Sequence, residues 1–193
     1  MKKTGVTGGI ASGKSYVANI FVHLGIPVYN TDREAKRLMV ESSDLIRDIK
    51  LFLGEEAYQG SVLNRQYIAD KVFADKGLLT KLNDIVHPVV HRDFDIWAEQ
   101  QEAPFVLKES ALLLQSLDHG LDAIILVDAS AVVRKQRVLS RDKFRSEEQV
   151  DNIIAQQGDW DELKNKADYI IDNNGSEMLL PQVVAVYDLL LKL

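Results

Sequence analysis

Short apolar runs alternate along this chain with stretches of helical period. Val6 marks the first run, at about 3–7. Ile26-Pro27-Val28-Tyr29, Pro104-Phe105-Val106-Leu107, Ala123-Ile124-Ile125-Leu126-Val127 and Tyr169-Ile170-Ile171 follow. Runs without polar alternation suit parallel strands covered on both faces. With helical sequence between them, they predict a doubly wound five-stranded parallel α/β sheet. The spacing is uneven, because more than seventy residues, 30–103, separate the second run from the third. There Leu45-Ile46…Ile49…Leu53 and Ile68…Val72-Phe73 repeat with helical period. His87-Pro88 reads as a further helix start, since a proline in the first turn lacks only an N–H that would have no helical partner. The pattern therefore predicts one domain over 1–193 with a helical insert at about 34–103.

One polar segment changes this picture from architecture to chemistry. Gly8-Gly9-Ile10-Ala11-Ser12-Gly13-Lys14-Ser15 fits G-x-x-x-x-G-K-[ST] without a mismatch, between a short strand and an amphipathic helix running to about Leu24. Glycines let the backbone curl so that successive N–H groups face one concavity and take phosphate oxygens. The helix N-terminus adds partial positive charge. Lys14 is placed to reach the β- and γ-phosphates, and Ser15 to ligate Mg²⁺. The expected nucleotide contacts are Gly8, Gly9, Ala11, Ser12, Gly13, Lys14, Ser15 and Tyr16, with ATP and Mg²⁺ as the bound species. Asn165-Lys166-Ala167-Asp168 and Asp172-Asn173-Asn174-Gly175 spell guanine-binding signatures, but in reversed order and with Asp168 opening a strand. They do not indicate a GTPase.

Ligands of open α/β sheets bind beyond the carboxyl ends of the strands, which singles out Tyr29-Asn30-Thr31-Asp32-Arg33-Glu34. Asp32 is a candidate base for an acceptor hydroxyl. Equally, Thr31 and Glu34 form a capping box in which Asp32 only favours the helix dipole. Glu109 and Asp128 close the third and fourth runs, where a Mg²⁺- or water-holding acid belongs or where a plain polar residue would serve. Arg134, Arg137, Arg141 and Arg145 advance by three, four and four, predicting four guanidiniums on one helical face. Guanidiniums grip phosphates in bidentate fashion, so this segment predicts a short lid at about 134–150, with Arg141 as its main phosphate contact. A solvated helix face is the plain alternative. Ser146 and Gln149 predict a capping box for the next helix. His87 and His91 have i, i+4 spacing without a third ligand nearby, so they do not indicate zinc; His87 caps its helix or binds acceptor.

Composition narrows the classes. The 193 residues carry a net charge of -6, no cysteine, and no long basic run. That excludes thiolate chemistry and disulfides and argues against nucleic acid as partner. No apolar run approaches the roughly 18 residues of a membrane helix, so the expected setting is the cytoplasm and the expected partners are small molecules. A monomer or weak homo-oligomer is expected.

The order of motifs resembles the dephospho-CoA kinase family over essentially the whole chain. The resemblance rests on Thr7–Ser15, on Val28…Asp32, on His87-Pro88, and on Glu109-Ser110-Ala111-Leu112-Leu113-Leu114. Arg137…Arg141-Asp142, Gln157 and Ala167–Asn173 complete the order. It implies ATP-dependent phosphorylation of the ribose 3′-hydroxyl of dephospho-CoA, the last step of coenzyme A synthesis. Asp32 would be the base and Arg141 a phosphate-side lid contact, Arg137 a nucleotide contact, and His87 and Glu109 acceptor-side residues. Against the family's pattern, Ala11 stands where glycine is common, Leu114-Gln115 where Phe-Glu is common, and Asn30-Thr31-Asp32 where Asp-Ala-Asp is usual. From the residues alone, a kinase for another nucleotide or sugar, and a module that senses ATP without transferring phosphate, also fit.

Overall fold

The computed structural model describes residues 1–111, 113–114, 120–158 and 160–193, with the backbone alone at 73, 74, 76 and 161. The described chain separates into two compact units, Met1–Tyr29 with Gln101–Leu193, and Asn30–Gln100. In the first, β1 (Lys2–Thr7) leads into α1 (Lys14–His23) and β2 (Val28–Asn30). The chain returns after residue 100 as β5 (Phe105–Glu109), β6 (Ala123–Asp128), α6 (Ala131–Arg141), α7 (Glu147–Ala155), α8 (Trp160–Lys166), β7 (Tyr169–Asp172) and α9 (Leu179–Leu190). The five strands form one parallel sheet in the order β2-β5-β1-β6-β7. This is the α/β fold that the apolar runs predict.

Strand side chains alternate faces, so Val6, Phe105, Leu107, Ile125, Val127 and Ile171 share one side of the sheet. That side is closed by Val17 and Phe21 of α1 and Val183, Val186 and Leu190 of α9. Phe105 is the hub, edge-on to Phe21 at 6.3 Å and against Tyr187 at 5.9 Å. At about 25 cal/mol per Å² of apolar surface, one such ring contributes several kcal/mol on burial. One expectation fails at the sheet's edge. Tyr169-Ile170-Ile171 reads as a strand covered on both faces, yet Ile170 is 47% exposed. β7 ends the sheet and needs cover only on the side of Ile171, which period two cannot reveal in a run of three apolar residues.

The second unit holds α2 (Thr31–Glu41), α3 (Ser43–Leu53), α4 (Arg65–Ala74) and α5 (Lys76–Glu99), with β3 (Tyr58–Gln59) and β4 (Val62–Leu63) between α3 and α4. Leu45, Ile49 and Leu53 are buried at i, i+4 and i+8, and α5 packs on α2, α3 and α4. Three details differ from the sequence reading. His87-Pro88 starts no helix: Pro88 lies inside the 24-residue α5. Both residues are exposed, so the carbonyl that loses its helical donor can turn to water, where a proline costs least. His87 therefore caps nothing. The β3–β4 hairpin, turning at Gly60 with φ 63°, is too short for a strand pattern to register. The cap of α2 is Asn30, not a Thr31–Glu34 box: Asn30 Oδ1 accepts the Arg33 N–H at 2.9 Å, while Glu34 pairs with Arg33 and Arg37. Asn30 occupies the place of the family's usual acid, and capping is work that asparagine and aspartate do equally well. Among the described residues, no helix is long and apolar enough to cross a membrane.

Candidate active site

β1 is the middle strand, and the chain leaves its carboxyl end as the loop Gly8–Gly13 before α1 begins at Lys14. Gly13 occupies the N-cap with φ 96°, ψ 17°, and no side chain caps the helix. The first N–H groups of α1 thus remain available to an anion, and the helix dipole favours one there. A Cβ at Gly13 would lie 2.2 Å from Asn173 Nδ2, and one at Gly8 2.7 Å from the Val127 carbonyl oxygen. Gly13 is therefore confined to glycine by its conformation and its neighbour, and Gly8 by its neighbours.

Its carbonyls are held by side chains. Asn173 Nδ2 donates to Ser12 O at 2.7 Å, and Arg137 Nη1 lies 3.4 Å from Ala11 O and 3.5 Å from Ser12 O. Arg137 Nη2 donates to Asn173 O at 2.9 Å, fixing the two arms to each other. The Ile10 N–H is taken at 3.2 Å by Gln157 Oε1. Beside these arms opens a cleft of about 350 Å³, lined by Ala11, Gly13–Tyr16, Arg137, Arg141 and Asn173. Ala11 has φ 56°, the left-handed region, which costs a residue with a Cβ roughly 1 kcal/mol.

Glu109 ends β5 and is buried, accepting a hydrogen bond from Ser15 Oγ. The Ser15 hydroxyl lining the cleft and the buried carboxylate against it are hard oxygen donors. The pair suits a cation that completes its shell with phosphate oxygens and water, as Mg²⁺ does. Asp128, in the matching place on β6, is committed otherwise. Its Oδ1 accepts from Trp160 Nε1 at 2.6 Å and its Oδ2 pairs with Lys164 at 2.7 Å.

The arginine face is not what its spacing predicts. α6 ends at Arg141, so Arg145 falls in the following turn, bridging to Asp142 at 3.2 Å. The three arginines on the helix divide by depth. Arg134 is 3% exposed and lies over the Trp160 ring at 4.3 Å, and burial holds its guanidinium below the ordinary value. Arg137 is half-buried on the loop carbonyls. Arg141 is exposed at the cleft, where its hydrogen bond to Asp142 holds it above the ordinary value. The Ser146–Gln149 capping box is present as predicted.

The structure thus gathers Ala11, Gly13, Lys14, Ser15, Tyr16, Arg137 and Arg141 at one cleft and sets Glu109 against Ser15. Gly8, Gly9 and Ser12 build the loop behind it. Asp32 and His87 belong to the other unit: Asp32 is exposed in the first turn of α2, immediately after β2, and His87 is exposed in mid-α5. Gln115 lies outside the described residues. Asn173 is absent from the predicted site, although it follows the carboxyl end of β7, the same kind of position that singles out Asp32. Its resemblance to a guanine signature concealed it.

Comparison with known proteins covers nearly all of this geometry. The family model described as dephospho-CoA kinase matches residues 3–178. The chain is 35% identical to a dephospho-CoA kinase of Porphyromonas gingivalis, covering 95% of this chain and 92% of that one. A relative of the same name from Salinibacter ruber is 36% identical, with 91% and 90% covered. A Thermus thermophilus crystal structure superposes with a TM-score of 0.83 at 31% identity, covering 100% of this chain and 97% of the other. The dephospho-CoA kinase of Campylobacter jejuni reaches a TM-score of 0.64 at 24% identity, with 98% and 97% covered. The chain belongs to the dephospho-CoA kinase family.

Proposed function

We propose that the chain transfers the γ-phosphoryl group of ATP to the 3′-hydroxyl of dephospho-CoA, releasing coenzyme A and ADP. The carrying observation is that loop, first helical turn, Arg137 and Arg141 meet at one cleft within the span matched by the family model. In this reading the uncapped N–H groups of α1 and the Lys14 ammonium bind the β- and γ-phosphates. Arg141 adds charge from the exposed side as the transferring group spreads its own over three oxygens. Arg137 sets the loop's shape by holding Ala11 and Ser12. Asp32 orients the acceptor hydroxyl and accepts its proton, while His87 and Glu109 contact the acceptor side. Ser15 and Glu109 would hold Mg²⁺, which would neutralise phosphate charge. The segment 134–150 serves as a lid and 34–103 as the acceptor-binding insert of a single domain. The setting is the cytoplasm, and the working unit a monomer or weak homo-oligomer.

ADP release from Mg-ATP tests this, with dephospho-CoA, adenosine, AMP and shikimate as alternative acceptors. The reading expects stimulation by dephospho-CoA alone. Equal rates with every acceptor or with none would leave ATP binding without this kinase activity.

A further inference from the structure

Arg134 is the arginine of α6 that the phosphoryl-transfer account leaves unused. Its guanidinium is buried yet abuts the phosphate loop: a Cβ at Gly9 would stand 2.2 Å from Nη1 and 3.0 Å from Cζ. Arg134 does not line the cleft, so any influence on a bound phosphate passes through the loop.

Among the described residues its hydrogen-bond partners are neutral. Nε donates to Ala129 O at 3.0 Å, and Nη1 donates to Gln157 Oε1 at 2.6 Å. The same Gln157 oxygen accepts the Ile10 N–H, so Arg134, Gln157 and the loop form one connected unit. Asp128 attracts Arg134 electrostatically but already holds Lys164 at 2.7 Å. Asp128 is thus shared between two cations. A buried charge that shares its counter-ion is costly, and an opposite charge arriving nearby relieves that cost.

We propose that Arg134 is a positioning residue for the phosphates: a fixed positive charge behind the loop that the bound nucleotide's phosphates balance. The inference rests on the nucleotide reading above. The loop's N–H groups give the local contacts, and Arg134 through Gln157 holds the Gly9–Ile10 backbone while adding an attraction that scales with phosphate charge. A partner that only fills space would affect all adenine nucleotides alike.

Calorimetric binding of AMP, ADP and ATP to the whole chain without metal separates these cases. The variants are Arg134→Lys, Arg134→Met and Arg134→Gln, each checked for native circular dichroism. Arg134→Gln keeps a donor for Gln157 should Arg134→Met fail to fold. The neutral variants are expected to weaken ATP binding by about tenfold or more, ADP by less and AMP by least, because Coulomb attraction grows with ligand charge. Arg134→Lys should retain most of the affinity. The same factor of loss for all three nucleotides, or a lysine variant as weak as the neutral ones, would overturn the proposal alone. Failure of the unaltered chain to bind any of the three would overturn the nucleotide reading with it.

Discussion

The two compact units use their polar side chains in opposite ways. Around the phosphate loop they act on backbone: Asn173 on Ser12 O, Arg137 on Ala11 and Asn173 carbonyls, Gln157 on the Ile10 N–H. In the helical unit the charged ones act on one another, in pairs that are exposed or partly exposed. Arg37 pairs with Glu34, Glu41 and Asp93, Arg47 with Asp44 and Asp48, and Lys50 with Glu55. Backbone held by side chains defines a shape to fractions of an ångström, as a phosphate cradle requires. Exposed ion pairs add little stability and tolerate change. The first unit is thus built to keep one geometry, and the second is anchored by its apolar face, through Leu45, Ile49, Leu53 and their neighbours.

The sharpest break of this contrast is Lys14→Met. It leaves the loop's backbone bonds intact and removes the charge that the proposed function directs at the transferring group, so turnover should fall about a thousandfold or more while the fold persists. Steady-state kinetics beside a thermal melt checks it, and a loss below tenfold would show that Lys14 is not at the transferring phosphate. In the helical unit the corresponding charge removal should be mild. Arg37→Gln breaks three partly exposed ion pairs, and the expected cost is about 1 kcal/mol, or roughly 3 °C in melting temperature. ADP affinity measured by calorimetry should not change. A large drop in that affinity would place the α2–α5 ion pairs in the phosphate machinery and erase the distinction drawn here.

How far the sequence disclosed this arrangement follows the same division. The loop was legible because its chemistry demands particular residues at particular spacings, and all of Gly8–Ser15 is contiguous. The apolar runs disclosed the strands because burial leaves its mark on composition, most fully in the inner strands β5 and β6. Arg134 was read with Arg137, Arg141 and Arg145 as one phosphate-gripping or solvated face, since helical spacing gives direction around an axis and says nothing of what lies against that face. Trp160, in a helix beyond it, and Gln157 and Ala129 lie against its guanidinium. Pro88 was misread for a related reason: a start signal and an exposed mid-helix proline look alike without the partners of α5. Asn173 needed strand order as well as position, because only the sheet brings the end of β7 beside the loop.

Ala11→Gly should have the smallest effect and the opposite sign. Relief of the left-handed strain at φ 56° is partly offset by the freer unfolded glycine, leaving a gain of less than about 1 kcal/mol. Chemical denaturation measures it. A loss of stability would mean that the Ala11 methyl contributes packing to the cleft.

The central claim, that this cleft serves phosphoryl transfer to the 3′-hydroxyl of dephospho-CoA, is tested most directly by the product. Incubation with Mg-ATP and dephospho-CoA followed by ³¹P NMR should show one new monoester phosphorus on the ribose 3′-oxygen, formed in step with ADP. The same mixture with Asp32→Asn should show that signal grow at least about a hundredfold more slowly, because the acceptor's proton would lose its proposed base. ADP appearing with inorganic phosphate and no new ester, or an ester at another hydroxyl, would contradict the account.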